Sequence, residues 1–357
     1  MKAIHVVGAR PNFMKMAPAL RALEAWPQVE QTLVHTGQHY DKNMSDVFFE
    51  QLGIRRPDVN LEVGSGSHAV QTAQIMMKFE ELVLQRRPDI VLVYGDINST
   101  VAAALVCAKL GIRVAHVEAG LRSFDRAMPE EINRLVTDQL ADILFTPSAD
   151  GDENLKRENI APEKIHCVGN LMIDTLVRML DHARRPQVAG INGNGYALVT
   201  LHRPSNVDEP KMLREIVEAL NNVSERVPVI FPIHPRTLAR IADFGLDLEK
   251  NQRLVLLEPV GYLEFLGLQR DAKVVITDSG GIQEETTFLG VPCLTVRNNT
   301  ERPITVEVGT NQLIGHDMTR LQNEVARVLD GHAKRGAVPP LWDGRAGERV
   351  AEILAKI

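Results

Sequence analysis

Val274-Val275-Ile276-Thr277-Asp278-Ser279-Gly280-Gly281-Ile282-Gln283-Glu284-Glu285 decides the class of the fold. Its first four residues are apolar or β-branched on both faces and predict a short buried strand. The pattern then breaks at Asp-Ser-Gly-Gly and resumes with helical spacing. Strands of this kind suit a parallel sheet covered on both faces. The two glycines let backbone approach a ligand, and the free N–H groups and dipole at the helix start suit an anion such as a diphosphate. Glu285 lies one helical turn beyond Gly281, where it could reach ribose hydroxyls. An ordinary N-cap by Asp278 or Ser279 explains the same residues without a ligand.

Outward from this stretch the same unit recurs. Strands are expected at Ala3–Val7, Gln31–His35, Ile90–Tyr94, Arg113–Val117, Ile143–Thr146 and Ile165–Val168. The second half offers Ala197–Thr200, Val229–Ile233, Leu254–Leu257 and Cys293–Val296 beside the stretch above. Helical patterns separate most of them, among them Met14–Glu24, Ala69–Gln85, Thr100–Lys109, Glu130–Leu140 and Lys211–Arg226. Alternation of strand and helix implies right-handed βαβ crossovers. The expected class is α/β, with two Rossmann-like doubly wound parallel-sheet domains facing a cleft. A break is expected within Gly169–Gly195, where Gly190-Ile191-Asn192-Gly193-Asn194-Gly195 is the most flexible composition in the chain.

Length and composition agree. At 357 residues the chain calls for about two domains of ordinary size. Forty basic against 46 acidic residues leave a net charge of −6, so there is no basic field for nucleic acid. No 18-residue apolar run predicts a membrane span. Met1–Gly8 is too short an apolar run for a signal peptide and reads as a strand. Cys107, Cys167 and Cys293 lie in apolar stretches without C-x-x-C pairing and are expected to be buried filler, which fits a cytoplasmic protein. The sequence has no G-x-G-x-x-G, no P-loop and no zinc-site spacing. A dehydrogenase, a P-loop NTPase and a catalytic transition metal are therefore not expected, and no cofactor is predicted.

Ligands of open α/β sheets bind beyond the carboxyl ends of the strands. The expected strands run out into Gly8-Ala9-Arg10-Pro11-Asn12, Gly95-Asp96, Glu118-Ala119-Gly120-Leu121-Arg122, His202-Arg203, His234-Pro235-Arg236 and Asp278-Ser279-Gly280-Gly281. Asp96 and Glu118 are one strand–helix–strand step apart. On neighbouring strands they would stand side by side, and crowded carboxylates can divide into an acid and a base. Each also has a structural reading: Asp96 as N-cap of the helix at Thr100, Glu118 as the ion-pair partner of Arg122. Pro129-Glu130-Glu131 is what a helix start favours by itself. His5, His35, His116 and His166 lie inside strands and read as satisfied core residues, whereas His202 and His234 come just after strands.

Together these residues carry a resemblance. Gly8-Ala9-Arg10-Pro11, Gly95-Asp96, His116-Val117-Glu118-Ala119-Gly120-Leu121-Arg122, Met128-Pro129-Glu130-Glu131-Ile132-Asn133-Arg134, His202-Arg203, Asp278–Glu285 and Thr300-Glu301-Arg302-Pro303 resemble the non-hydrolysing UDP-N-acetylglucosamine 2-epimerases, in the family's order. The resemblance implies a GT-B-type fold, a UDP-sugar substrate, a homodimer, and interconversion of UDP-N-acetylglucosamine with UDP-N-acetylmannosamine. It implies Asp96, Glu118 and Glu130 as the acid–base set, and Arg10 and His202 on the diphosphate. Ser279, Gly280 and Gly281 would hold phosphates and Glu285 the ribose. Because the last helix of such folds crosses back, the expected domains are 1–170 plus 345–357, and 171–344.

The reaction explains the acids. The C2 hydrogen of the sugar is very weakly acidic. Direct removal needs more than the roughly 10²–10⁴-fold that one acid–base group supplies. Loss of UDP from C1 acidifies C2 and gives 2-acetamidoglucal. Protonation from the other face, with UDP adding back, inverts the centre. The chain departs from many bacterial members in reading Gly-Ala-Arg-Pro-Asn at its start and in a shorter Glu118–Glu130 segment. Both variants resemble a branch that also holds epimerases of UDP-diacetamido-uronic acids. Gln38, His39 and His234 resemble part of a second, activating nucleotide-sugar site, although Asp41 and Val70 stand where those members tend to have Gln and Arg. The rival classes are a GT-B glycosyltransferase, a hydrolysing epimerase and a nucleotide-sugar sensor.

Overall fold

The computed structural model describes residues 1–37, 52–188, 191, 195–248 and 252–357. These residues form two compact units, Met1–Arg178 with Pro340–Ile357, and Met179–Pro339. In the first unit the described strands are β1 (Lys2–Val7), β2 (Glu30–His35), β3 (Val59–Asn60), β4 (Ile90–Tyr94), β5 (Arg113–Val117), β6 (Ile143–Thr146) and β7 (Ile165–Cys167). They pair in the order β3-β2-β1-β4-β5-β6-β7, every pair parallel. In the second unit β8 (Ala197–Thr200), β9 (Val229–Pro232), β10 (Leu254–Leu257), β11 (Val274–Thr277), β12 (Cys293–Thr295) and β13 (Asn311–Leu313) pair as β10-β9-β8-β11-β12-β13, again all parallel. In each sheet the order reverses beside the first strand of the unit, which is the topological switch of a doubly wound fold.

The chemistry of the strands explains their place. Ile90, Val91, Leu92, Val93 and Tyr94 are all fully buried, as a central parallel strand with helices on both faces requires. Val91, Val93, Val106 and Leu144 share one core. Val199, Leu220, Phe231 and Ile276 share another. Two strands escaped the sequence reading. Val59–Asn60 is only two residues long, and Asn311–Leu313 is mostly polar. The helix Ala149–Arg157 escaped as well, because seven of its nine residues are polar or glycine.

The units part at 178/179 and 339/340 rather than at 170/171 and 344/345. The reason is a set of bonds that the helix Leu171–Leu180 and the returning chain make with the first sheet's surroundings. Thr175 donates to the Met14 carbonyl at 2.6 Å. Trp342 Nε1 donates to the Pro147 carbonyl at 2.9 Å, and Asp174 accepts the N–H groups of Ala346 (3.1 Å) and Gly347 (2.7 Å). The last helix, Ala346–Leu354, then lies against the first helix, Arg10–Leu23. A Cβ at Gly347 would stand 2.7 Å from the Pro18 carbonyl.

Cys107 and Cys293 are buried and Cys167 is half-buried. Burial pushes the thiols of Cys107 and Cys293 up to about 12 and about 11, so both are inert at neutral pH. No helix among the described residues is long and apolar enough to cross a membrane.

Candidate active site

In the first unit the strand ends converge as their register demands. Tyr94 pairs with Val117, so Gly95-Asp96 and Glu118 emerge side by side. Each carboxylate has its own cation. Glu118 is paired with Lys15, both nearly buried. Asp96 Oδ2 accepts from Arg134 Nη1 at 2.9 Å. Neither structural reading of these acids holds. The residue before the helix Asn98–Leu110 is Ile97, which offers no cap, so Asp96 is free to face Arg134. Arg122, the expected partner of Glu118, pairs with Asp138 and Glu158.

The backbone at Glu118 is unusual. Its φ of +73° is left-handed, which costs an L-residue about 1–2 kcal/mol. The conformation holds because the N–H groups of Glu118 and Ala119 both reach the Phe145 carbonyl at 3.0 Å. Gly95, at φ +63°, is needed opposite: a Cβ there would meet Lys15 Nζ at 2.8 Å and Glu118 Oε2 at 3.2 Å.

The pair Glu130-Glu131 divides its labour. Glu131 is buried and accepts from Ser123 N (3.0 Å), Ser123 Oγ (2.9 Å), Phe124 N (3.0 Å) and Arg134 Nη2 (2.8 Å). It is structural. Glu130 is exposed and lines a cavity of about 250 Å³ together with Asp96, His68, Asn98 and Asn133. Two of the three expected acid–base residues therefore face one space, and the third sits beside the Asp96 turn. Asn12 accepts from Gly8 N and Ala9 N at 3.2 Å and donates to the Tyr94 carbonyl at 2.8 Å. Arg10 opens the first helix; its side chain, like Gln38 and His39, lies outside the described residues.

In the second unit Asp278 is fully buried. It does not cap the helix Gly280–Leu289. Its Oδ2 accepts from His202 N (2.9 Å), Arg203 N (2.8 Å) and Asn206 Nδ2 (3.0 Å), while Oδ1 faces His202 Nδ1 at 3.2 Å. Burial alone would raise this carboxyl. The His202 ring, the Arg203 N–H and the Asn206 amide outweigh it and hold the group below the usual carboxylate range. His202 is thereby oriented with 42% of its side chain exposed. The His234 ring lies 5.8 Å from it, and burial and the His202 neighbour lower the pKa of His234.

Ser279 occupies the N-cap position of the helix Gly280–Leu289 without a side-chain cap bond. A Cβ at Gly280 would meet Arg302 Nη1 and Glu301 Oε1, each at 2.6 Å, so both side chains would have to shift. Arg302 also reaches Glu284 at 2.9 Å, so the Thr300-Glu301-Arg302 segment buttresses the helix start. Glu285 is buried, accepting from Tyr262 Oη (2.9 Å) and Gln269 Nε2 (2.6 Å). Burial raises its pKa against both bonds. Among the described residues no group of three or more His, Cys, Asp or Glu is placed to hold a metal ion.

Sequence reasoning missed Lys15 and the roles of Arg134 and Asp278. Lys15 had a signal: it is the one charged residue inside the apolar run Phe13–Leu20, where a helix face must be buried.

The sequence pattern of the UDP-N-acetylglucosamine 2-epimerase family matches residues 21–355. A UDP-N-acetylglucosamine 2-epimerase of Methanococcus maripaludis is 44% identical over 98% of this chain and 97% of its own length. A UDP-2,3-diacetamido-2,3-dideoxy-D-glucuronate 2-epimerase of Pseudomonas aeruginosa is 43% identical, with both chains fully covered. The crystal structure of the Methanocaldococcus jannaschii UDP-GlcNAc 2-epimerase, in complex with UDP-GlcNAc and UDP, superposes with a TM-score of 0.91 at 44% identity and full coverage of both chains. With two doubly wound parallel sheets, polar strand ends and an uncapped Ser-Gly-Gly helix start already in view, these matches place the chain in the UDP-N-acetylglucosamine 2-epimerase family.

Proposed function

We propose that this enzyme interconverts UDP-N-acetylglucosamine and UDP-N-acetylmannosamine by elimination of UDP to 2-acetamidoglucal and re-addition. The observation that carries the reading is the cavity shared by Asp96 and Glu130, with Glu118 beside the same turn. Transfer of the sugar to an acceptor has no use for several acids at C2, whereas epimerisation needs a base on one face and an acid on the other. In the forward direction the C1–O bond breaks with its electron pair leaving on UDP. The C2–H proton passes to a carboxylate and C1=C2 forms. A proton delivered to the other face of C2, with UDP returning to C1, completes the inversion.

The first unit supplies Asp96, Glu118 and Glu130 for the proton transfers. The second supplies the grip on UDP. The helix-start N–H groups of Gly280 and Gly281, with the Ser279 hydroxyl, meet the diphosphate, and half-buried His202, held by Asp278, meets the charge that grows as UDP departs. The family resemblance implies Arg10 as a further cation for the diphosphate. Glu285, already shared between Tyr262 and Gln269, offers its remaining lone pairs to the ribose. A regulatory nucleotide-sugar site on Gln38, His39 and His234 is a separate proposal. Cooperative kinetics would support it, and hyperbolic kinetics with no requirement for UDP-N-acetylglucosamine in the reverse direction would remove it. The working form is taken to be a cytoplasmic homodimer, which sedimentation at twice the chain mass checks.

One experiment tests the reaction. The enzyme is incubated in D₂O with UDP-N-acetylglucosamine and, separately, with UDP-2,3-diacetamido-2,3-dideoxy-D-glucuronate, and followed by NMR. Deuterium at C2 of both epimers, without net release of UDP, is expected with the first. Absence of C2 label would show a transferase, and accumulating UDP a hydrolysing enzyme. Faster turnover of the uronate would move the chain to the second substrate class.

A further inference from the structure

Beneath the strand ends lies a buried charge cluster that the reaction scheme leaves unused. His116, on β5, is fully buried. Its Nε2 lies 2.8 Å from the Gly95 carbonyl and its Nδ1 2.6 Å from Asp138 Oδ1. A carbonyl can only accept, so Nε2 donates. Nδ1 is bonded to the Asp138 carboxyl, so both ring nitrogens are engaged. Burial pushes the Asp138 carboxyl up, but the His116 ring and the Arg122 guanidinium outweigh it and hold it below the usual carboxylate range. Asp138 Oδ2 in turn takes the Gly120 N–H at 3.1 Å and Arg122 Nη1 at 2.7 Å. Arg122 closes the chain of charges on Glu158, with bonds of 2.7 and 2.6 Å.

A fully buried ion pair is a poor way to gain stability, since apolar residues of similar volume often do as well. What the pair does that an apolar residue cannot is hold two backbone turns at once. The Gly95 turn leads directly into Asp96. The Gly120 turn comes just after the left-handed Glu118 and passes so close to Gly151 that a Cβ would stand 2.5 Å from its carbonyl oxygen. We propose that His116, with Asp138, is a positioning residue for epimerisation: one ring bonded at both nitrogens ties the turn that aims Asp96 to the turn that aims Glu118. The inference rests on the assignment of those carboxylates to proton transfer at C2. Misplacement of reacting groups by about 1 Å can cost about 10²-fold in rate, which is the scale on which such a tie matters.

The test uses full-length His116→Gln and Asp138→Asn in the D₂O assay with UDP-N-acetylglucosamine. A Gln amide can serve one of the two partners but not both. Both variants are expected to keep UDP binding and cooperative unfolding, to lose at least about tenfold in kcat, and to hold KM within about threefold. The decisive readout is the ratio of deuterium in recovered substrate to deuterium in the epimer at early times. That ratio is independent of how much enzyme is active and reports the relative efficiency of the two faces. It is expected to shift by at least about threefold in both variants. An unchanged ratio, wild-type kcat, or failure of both variants to fold would each overturn the proposal. The wild-type enzyme run alongside separates the two claims: absence of C2 label there would overturn the reaction itself.

Discussion

Asp96 and Glu118 leave neighbouring strands, yet each carries its own cation, Arg134 and Lys15. At this scale the prediction is that Asp96→Asn, Glu118→Gln and Glu130→Gln each lower kcat by at least about 10² with the fold intact. Near-normal turnover by any of them removes that residue from the mechanism. Lys15→Met withdraws the cation from a buried carboxylate and should cost about 3–5 kcal/mol in stability. Combining it with Glu118→Gln should return part of that loss in a double-mutant cycle, measured by denaturant unfolding. The acids themselves were legible from the sequence, because a polar residue after an apolar strand can only sit at the sheet's edge. Their partners were not. Lys15 and Arg134 belong to helices far along the chain, and only the crossing of those helices over β4 and β5 decides which cation meets which acid.

The helix Gly280–Leu289, proposed to meet the diphosphate, starts without a side-chain cap, and Gly280 lets Arg302 and Glu301 press against its start. Gly280→Ala should weaken UDP binding by at least about tenfold and cost about 1–3 kcal/mol, because the new Cβ displaces both side chains. Calorimetric titration with UDP checks the first part. The last helix, Ala346–Leu354, is held by Asp174, whose carboxyl burial pushes up to about 6. A folded-state value above the unfolded one stabilises below the unfolded pKa and loses that contribution as pH rises through the folded value. The destabilisation caused by Asp174→Ala should therefore shrink by up to about 3 kcal/mol between pH 4 and pH 8. Thermal melts of both proteins across this range measure it, and a penalty that grows with pH would contradict it. The sequence reading began the first helix at Met14, whereas it starts at Arg10 with Pro11 in its first turn. The sequence did not mark the clasp, since Asp174 and Ala346 are brought together only by the return of the chain.

For the whole molecule, the return of residues 340–357 to the first unit is the main event that local patterns do not encode. Trp342, Val350, Ala351 and Leu354 are buried there. Truncation after Pro339 should therefore strip hydrogen-exchange protection from the helix Arg10–Leu23 and leave that of Pro210–Arg226 as it was. Equal loss in both helices would contradict the assignment. Alternation of buried strands with amphipathic helices, a net charge of −6 and the ordered motifs from Gly8 onward were enough to determine two doubly wound sheets, a family and a set of strand-end acids. Those features are local, because period, polarity and turn chemistry act over a few residues. Tertiary structure alone decided the rest: Lys15 for Glu118, Glu131 spent on Ser123 and Phe124 while Glu130 stays exposed, Asp278 turned from capping to orienting His202, and His116 bonded between two turns. Each depends on which groups meet across the fold once water is excluded, and a buried polar atom must then take whatever partner the packing brings to it.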